Sequence, residues 1–298
     1  MNKIIIANGI FRSGSTFFFD AVRQTDGSCC LYEPFHPRIE QLSTEEHSEN
    51  LGHSVDKNPW VEYDKLLNLP LNFKHYASNL PSMIISNFAS YTPPNIDEDV
   101  AAYIEQLFVM QNSLNLYLFA CFNRAGFLLK EISARWGQKL VIVQTKRPSL
   151  QVAKSLQSIY SKQKPFNLFS NVSRDLWGIN CVFELQYKDS KYCKEINFLH
   201  PSRFSFLAKI AFINTLINKI ALGNSQFIFD LSAPCDHYMS NMRQLFDWIK
   251  ADQSVTDPVL SYVRYNYRQD QSPSRVSHEL FSSSDLCLLE AVGFKEFS

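Results

Sequence analysis

Short apolar runs alternate with stripes of apolar side chains along most of the chain, and this alternation predicts the secondary structure. Runs typical of buried strands occupy positions 3–7, 29–32, 127–129, 140–144 and 226–231. Apolar positions that recur every three or four residues predict helices at 17–23, 100–118, 148–159, 204–222, 239–249 and 282–293. Strands separated by helices favour a mostly parallel sheet with helices on both faces, which is a three-layer α/β fold.

One long segment does not follow this alternation. Residues 36–98 hold six prolines and show weak periodicity, which indicates an irregular excursion with short helices. Segments of this kind often shape a pocket, so we interpret 36–98 as an insertion that forms the binding site of an acceptor substrate. A chain of 298 residues suits one α/β domain with such an elaboration, and we therefore predict a single domain over 1–298.

Composition narrows the class of protein. The formal net charge is zero, whereas proteins that bind nucleic acids usually carry a basic excess, so we predict no nucleic-acid partner. No apolar stretch reaches the length of a membrane span, and no export signal is visible at the start of the chain. The seven cysteines form no CxxC pair, and their odd number fits reduced thiols. These features predict a cytoplasmic protein without a transmembrane segment, and they leave its oligomeric state open.

Charge is unevenly distributed in spite of the neutral total. Residues 124–174 contain ten Lys or Arg and one acid, Glu131, whereas residues 40–105 contain eleven acids and three lysines. The basic stretch is either a solvated face or a site for a small, multiply charged anion. The motifs within and before it bear on that choice.

The loop after the first predicted strand has the pattern of a phosphate-binding loop. Residues 9–16 read Gly-Ile-Phe-Arg-Ser-Gly-Ser-Thr, which is GxxxxG ahead of a helix. Glycines allow successive backbone N–H groups to converge on an anion, the helix start adds its positive end, and Arg12 adds a mobile charge. Ser15 stands where nucleotide triphosphatases require lysine, so the loop is not of the ATPase type.

In this form, Arg-Ser-Gly-Ser-Thr, the loop resembles the 5′-phosphosulfate loop of sulfotransferases that use 3′-phosphoadenosine-5′-phosphosulfate (PAPS). The resemblance implies a sulfotransferase-like fold in which this loop binds the donor. The residues it assigns to donor binding are Arg12, Ser13, Gly14, Ser15, Thr16 and Phe17.

A second segment is similar to one branch of that family. Residues 31–36 read Leu-Tyr-Glu-Pro-Phe-His and resemble the Tyr-Glu-Pro segment of the carbohydrate 6-O-sulfotransferases, where the glutamate is the proposed catalytic base. An acceptor hydroxyl must lose its proton as the sulfur–oxygen bond forms, and a carboxylate at a strand end can receive it. We predict Glu33 as this base, with His36 as the alternative, and a carbohydrate-like acceptor.

A third segment resembles the family's site for the 3′-phosphate of the donor. Residues 141–148 read Val-Ile-Val-Gln-Thr-Lys-Arg-Pro, and Arg147 precedes Ser155 by eight residues, as the family's arginine precedes its serine. The position of the proline fits the other register, which would select Lys146 and Lys154. We prefer Arg147 with Ser155, because a serine hydroxyl is the more specific hydrogen-bonding group.

The C-terminal part carries a weaker resemblance. Arg264, Arg268 and Arg275 lie where the family often completes its nucleotide site, but no motif assigns a role to any of them. The combined expectation is transfer of a sulfuryl group from PAPS, with 3′-phosphoadenosine-5′-phosphate (PAP) as product and without a metal ion. A nucleotide-dependent phosphotransferase and a non-catalytic nucleotide-binding protein are the alternatives.

Overall fold

The computed structural model describes most of the α/β framework of the chain. The described residues are 4–9, 13–32, 98–114, 116–122, 126–162, 183–184, 186–188, 191–197, 199–269 and 280–294. Arg12, Glu33, His36 and Arg275 lie outside them, as do residues 36–97 of the predicted insertion.

The described residues form a sheet of five parallel strands. The strands are β1 (Ile4–Asn8), β2 (Ser28–Tyr32), β3 (Tyr117–Phe122), β4 (Leu140–Lys146) and β5 (Phe227–Asp230), in the order β2-β3-β1-β4-β5. Ile4 pairs with Leu118 on one side and with Leu140 on the other, so β1 is the central strand. Its side chains are all buried, as expected for a strand covered on both faces.

Helices connect the strands. Those with five or more described residues are α1 (Ser15–Val22), α2 (Glu98–Leu114), α3 (Leu129–Trp136), α4 (Ser149–Lys162), α5 (Lys191–Glu195), α6 (Phe206–Leu222), α7 (Cys235–Ile249), α8 (Gln253–Asn266) and α9 (Ser283–Ala291).

The helices cover both faces of the sheet. On one face, the ring of Phe18 in α1 packs against Phe119 and Phe229, and Phe119 also contacts Phe246 of α7. On the other face, α6 reaches the sheet through Asn218 and contacts α3 and α4. The prediction of a three-layer α/β fold with a parallel sheet is confirmed.

Two of the predicted elements are wrong. Residues 127–129 do not form a strand, because a 3-10 turn over Gly126–Leu128 leads directly into α3. The predicted helix at 100–118 ends at Leu114, and its last apolar positions belong to β3, which lies between β1 and β2. The six-residue run of β3 is long enough to be buried on both faces of the sheet, whereas three apolar residues after Gly126 are not.

A second hydrophobic cluster lies beside the sheet. It joins α4, α6 and α9 with the stacked rings of Phe183 and Tyr187, which are 5.4 Å apart. The cysteines of the described ranges are all free thiols, as the sequence predicts.

Candidate functional site

The order of the strands places a crevice between β1 and β4. In the strand order, β2 lies beyond β1 in one direction and β5 lies beyond β4 in the other. The connection that leaves β1 and the connection that leaves β4 therefore run in opposite directions. In open parallel sheets, ligands bind where the connections diverge in this way, beyond the carboxyl ends of the strands. The loop that begins at Gly9 and the pair Lys146–Arg147 both lie at this edge.

The loop after β1 packs too closely for side chains at its two glycines. A Cβ on Gly9 would lie 2.1 Å from Thr145 Oγ1 and 2.2 Å from Ser13 Oγ. Gly14 has a φ of 98°, a conformation that disfavours L-residues, and a Cβ there would lie 2.3 Å from Leu231 Cδ1. A side chain at either position would therefore collide with a neighbouring side chain.

The start of α1 presents backbone N–H groups at the crevice. Gly14 is the N-cap and supplies no side-chain oxygen, and the first helical hydrogen bond runs from Phe18 N to Gly14 O. The N–H groups ahead of Phe18 precede the intrahelical ladder, so an anion at the helix start can accept hydrogen bonds from them.

Three of the predicted donor-binding residues follow Gly14 in this helix, and their side chains have different surroundings. Ser15 is buried, and Thr16 Oγ1 lies 3.1 Å from the hydroxyl of Tyr32 at the end of β2. The Phe17 ring packs among Tyr238, Tyr262 and Tyr267. The Phe17 ring is therefore unsuited to bind an anion, and Phe17 can do so only through its backbone N–H group. The Thr16–Tyr32 contact brings the end of β2 to the loop, and the predicted base Glu33 follows directly in the chain.

Ser13 connects the loop to β4. Its Oγ lies 3.0 Å from Thr145 Oγ1, and the Thr145 hydroxyl donates to Asn8 O at 3.1 Å. Ser13 and Thr145 are each only 1% exposed. The Ser13 side chain thus contacts protein, and no pattern in the sequence indicates its partner on β4.

Lys146, the last residue of β4, is held by an acid at the end of β5. Its Nζ lies 3.0 Å from Asp230 Oδ2, and Asp230 also accepts hydrogen bonds from the backbone N and the hydroxyl of Ser232. Burial opposes the charge of Asp230, but the hydrogen bonds from Ser232 and Lys146 outweigh it and hold the pKa of this carboxyl below its usual range. Lys146 therefore has a carboxylate partner next to the crevice.

Arg147 begins the connection into α4. Its Nε donates to Gln151 Oε1 at 3.3 Å. Ser155 is half-buried on the same helix, whereas Lys154 is exposed. Of the two registers that the sequence allows, the one with Arg147 and Ser155 thus has the more buried helix residue.

Buried amides occupy the other face of the sheet at the same edge. Asn8 Nδ2 donates to Gln144 Oε1 at 2.7 Å, and Gln144 Nε2 donates to Asn218 Oδ1 at 3.1 Å. Asn8 Oδ1 is buried and has no hydrogen-bond partner among the residues that the structure describes. Sequence reasoning missed this network, although a polar residue at the end of each of two adjacent apolar strands was a visible signal.

The chain beyond α8 returns to the turn after β5. The Tyr267 hydroxyl donates to Ala233 O at 2.5 Å, and Gln269 Nε2 donates to Ser232 O at 3.0 Å. These contacts bring the polar stretch that holds Arg268 to the carboxyl edge of the sheet, while Arg275 lies outside the described residues.

The described residues contain neither a cluster of metal ligands nor a helix able to span a membrane. Within the described ranges, no three His, Cys, Asp or Glu side chains lie close enough together to hold a metal ion. None of the helices in this part of the chain has both the length and the apolar character needed to cross a bilayer. In comparisons with known proteins, no family model, no curated protein and no solved structure matches the chain.

Proposed function

We propose that the chain is a sulfotransferase that moves a sulfuryl group from PAPS to a hydroxyl of a carbohydrate-like acceptor. The observation that carries the proposal is the loop between β1 and α1. Its two glycines, Gly9 and Gly14, are closely packed, it follows β1 at the divergence of the strand connections, and it leads into a helix start without a side-chain cap. It also has Ser15 at the position where phosphoryl-transfer loops have lysine.

In this proposal the loop and Arg12 bind the phosphosulfate end of the donor. Arg12 and the N–H groups of Ser13, Gly14, Ser15 and Thr16 stabilise the negative charge that grows on the phosphate oxygen as its bond to sulfur breaks. Oriented amides are effective here because they need no reorganisation during the reaction. The products are PAP and a sulfate ester of the acceptor.

Glu33 is proposed to accept the proton of the acceptor hydroxyl as the new sulfur–oxygen bond forms, with His36 as the alternative base. The Thr16–Tyr32 contact supports this role, because it holds the residue before Glu33 next to the proposed phosphosulfate loop. The carbohydrate-like acceptor rests on the Tyr-Glu-Pro resemblance alone.

Arg147 and Ser155 are proposed to bind the 3′-phosphate. A fixed guanidinium suits a phosphate because it offers two parallel N–H groups. The Lys146–Asp230 pair supports this choice, since a lysine bonded to a carboxylate is a weaker anion ligand.

The main alternative is a nucleotide-dependent phosphotransferase. Such enzymes hold magnesium with an acid near the phosphate loop. Asp230 is an acid at a strand end, but it already bonds Lys146 and Ser232. The described part of the chain therefore favours sulfuryl transfer.

Titration calorimetry with PAP and with ATP tests the choice. A sulfotransferase binds PAP more tightly than ATP, whereas tighter binding of ATP would refute the proposal. Incubation with radiolabelled PAPS and a panel of glycans, phenols and lipids then separates an enzyme from a non-catalytic binder. Label in a glycan supports the acceptor class, and label in a phenol or lipid alone contradicts it.

A further inference from the structure

The Thr145 hydroxyl on β4 hydrogen-bonds to Asn8, the last residue of β1, and to Ser13, the residue before the N-cap of α1. A threonine hydroxyl carries a single proton, and the Thr145 proton goes to Asn8 O. The 3.0 Å contact with Ser13 must then have the Ser13 hydroxyl as donor and Thr145 as acceptor. The direction of both hydrogen bonds therefore follows from the geometry.

The packing around this hydroxyl involves the described residues at both ends of the loop, Gly9 and Ser13. Thr145 Oγ1 would be 2.1 Å from a Cβ on Gly9, so the hydroxyl occupies the space where the loop makes its first turn. Ser13 is fixed four residues later by the same oxygen, just before the N-cap of α1. One buried hydroxyl thus sets the distance between the start and the end of the loop.

We propose that Thr145 is a positioning residue that holds Gly9 and Ser13 where the start of α1 can bind an anion, and that it thereby determines how strongly the 5′-phosphate of a nucleotide is bound. The inference rests on the proposed function, because it assigns the 5′-phosphate to this loop. Thr145 acts through Ser13 and does not touch the nucleotide. The proposed 3′-phosphate residues, Arg147 and Ser155, follow Thr145 in the chain. The two hydrogen bonds of the Thr145 hydroxyl go to Ser13 and Asn8 and not to either of them.

The substitution Thr145→Val tests the 5′-phosphate site separately from the 3′-phosphate site. It preserves the shape of the side chain and removes both hydrogen bonds of the hydroxyl. The readout is the ratio of two affinities measured by calorimetry, for PAP and for adenosine 3′-monophosphate, which lacks the 5′-phosphate. Loss of hydrogen bonds that order the loop is expected to lower this ratio about tenfold. A general loss of structure would weaken both ligands alike and leave the ratio unchanged.

Two further variants complete the design. Thr145→Ser keeps the hydroxyl and is expected to retain the wild-type ratio. Thr25→Val is the matched control, because Thr25 is also buried and accepts a hydrogen bond, from Gly27 N at 3.3 Å. It lies before the start of β2, at the opposite edge of the sheet, so its ratio is expected to stay at the wild-type value.

Each outcome bears on a different claim. If Thr145→Val does not fold, Ser13→Ala carries the same test, since it removes only the loop side of the contact. A wild-type ratio in the folded variant overturns the inference while the proposed function stands. Failure of the wild-type chain to bind PAP overturns both the inference and the proposed function. An equal fall of the ratio in Thr25→Val shows that the effect is not specific to the loop, and it also refutes the role of Thr145.

Discussion

Gly14→Ala is expected to destabilise the fold because the substitution meets two separate obstacles. At a φ of 98° an L-residue is strained, and the left-handed conformation costs about 1–2 kcal/mol. The new Cβ would also lie 2.3 Å from Leu231 Cδ1 and 3.0 Å from its Cγ, and making room in a packed region costs about 1–3 kcal/mol. The free energy of unfolding should therefore fall by about 2–5 kcal/mol, which a domain of ordinary stability survives.

Equilibrium unfolding in urea, followed by circular dichroism, measures this loss. Gly223→Ala is the matched control, because the nearest heavy atom to its added Cβ is Ile220 O at 3.8 Å and its φ is −88°. That change should leave stability unaltered within about 0.5 kcal/mol or raise it slightly, since alanine restricts the unfolded chain.

A second pair of variants separates the backbone strain at position 14 from the clash with Leu231. In a Leu231→Ala chain the clash is relieved, so adding Gly14→Ala there should cost only the backbone strain. A full cost in that background would refute the contact with Leu231. A loss no larger than that of Gly223→Ala in the wild-type chain would refute the whole explanation of the loop.

The remaining predictions concern charge and turnover. Asp230→Asn should destabilise the protein by about 1–3 kcal/mol at pH 7, because hydrogen bonds to a charged group are lost. Because the pKa of Asp230 is lowered in the folded protein, the stability that its carboxylate contributes is present above about pH 4 and is lost as the pH falls through that lowered pKa. Urea titrations of the wild-type chain and the variant at pH 7 and pH 3 test this. Glu184→Gln, which breaks an exposed pair, is the control and should change stability by less than about 0.5 kcal/mol. Asp20 has its pKa raised to about 6, mainly by burial, so wild-type stability should fall as the pH rises from about 4 to 6. The substitution Asp20→Asn should flatten that fall and add about 1–2 kcal/mol at pH 7.5, after allowance for partial exposure; a steeper fall would contradict this. In assays with radiolabelled PAPS, Arg12→Ala should abolish turnover, and Glu33→Gln should slow it about 10²–10⁴-fold without weakening PAP binding. Full activity of the Glu33 variant would show that another group is the base.

The sheet was largely predictable because most of its strands are isolated apolar runs. Ile4–Asn8 and Leu140–Lys146 are each bounded by polar residues, which separates them from the neighbouring helices. Tyr117–Phe122 is different, since its apolar residues continue the stripe of α2 after a break of two residues. Periodicity alone cannot divide such a stretch, and only pairing with β1 and β2 makes it a strand.

The loop and the basic strand end were found from local patterns, but their partners were not. Ser13 and Thr145 are 132 residues apart in the chain, and Lys146 and Asp230 are 84 apart. Contacts over such distances depend on which strands become neighbours, and no local spacing encodes that order. In the sequence Asp230 is one acid in an apolar run, and only the pairing of β5 with β4 brings it next to Lys146.

The central place of β1 has a consequence for biosynthesis. This strand leaves the ribosome before both of its neighbours, which are encoded more than 100 residues later. At about 5–20 residues per second, β1 waits about 7–30 s before β4 has been translated, and its apolar side chains cannot be enclosed until then. A nascent chain with this topology is a natural client for chaperones that shield hydrophobic segments during translation.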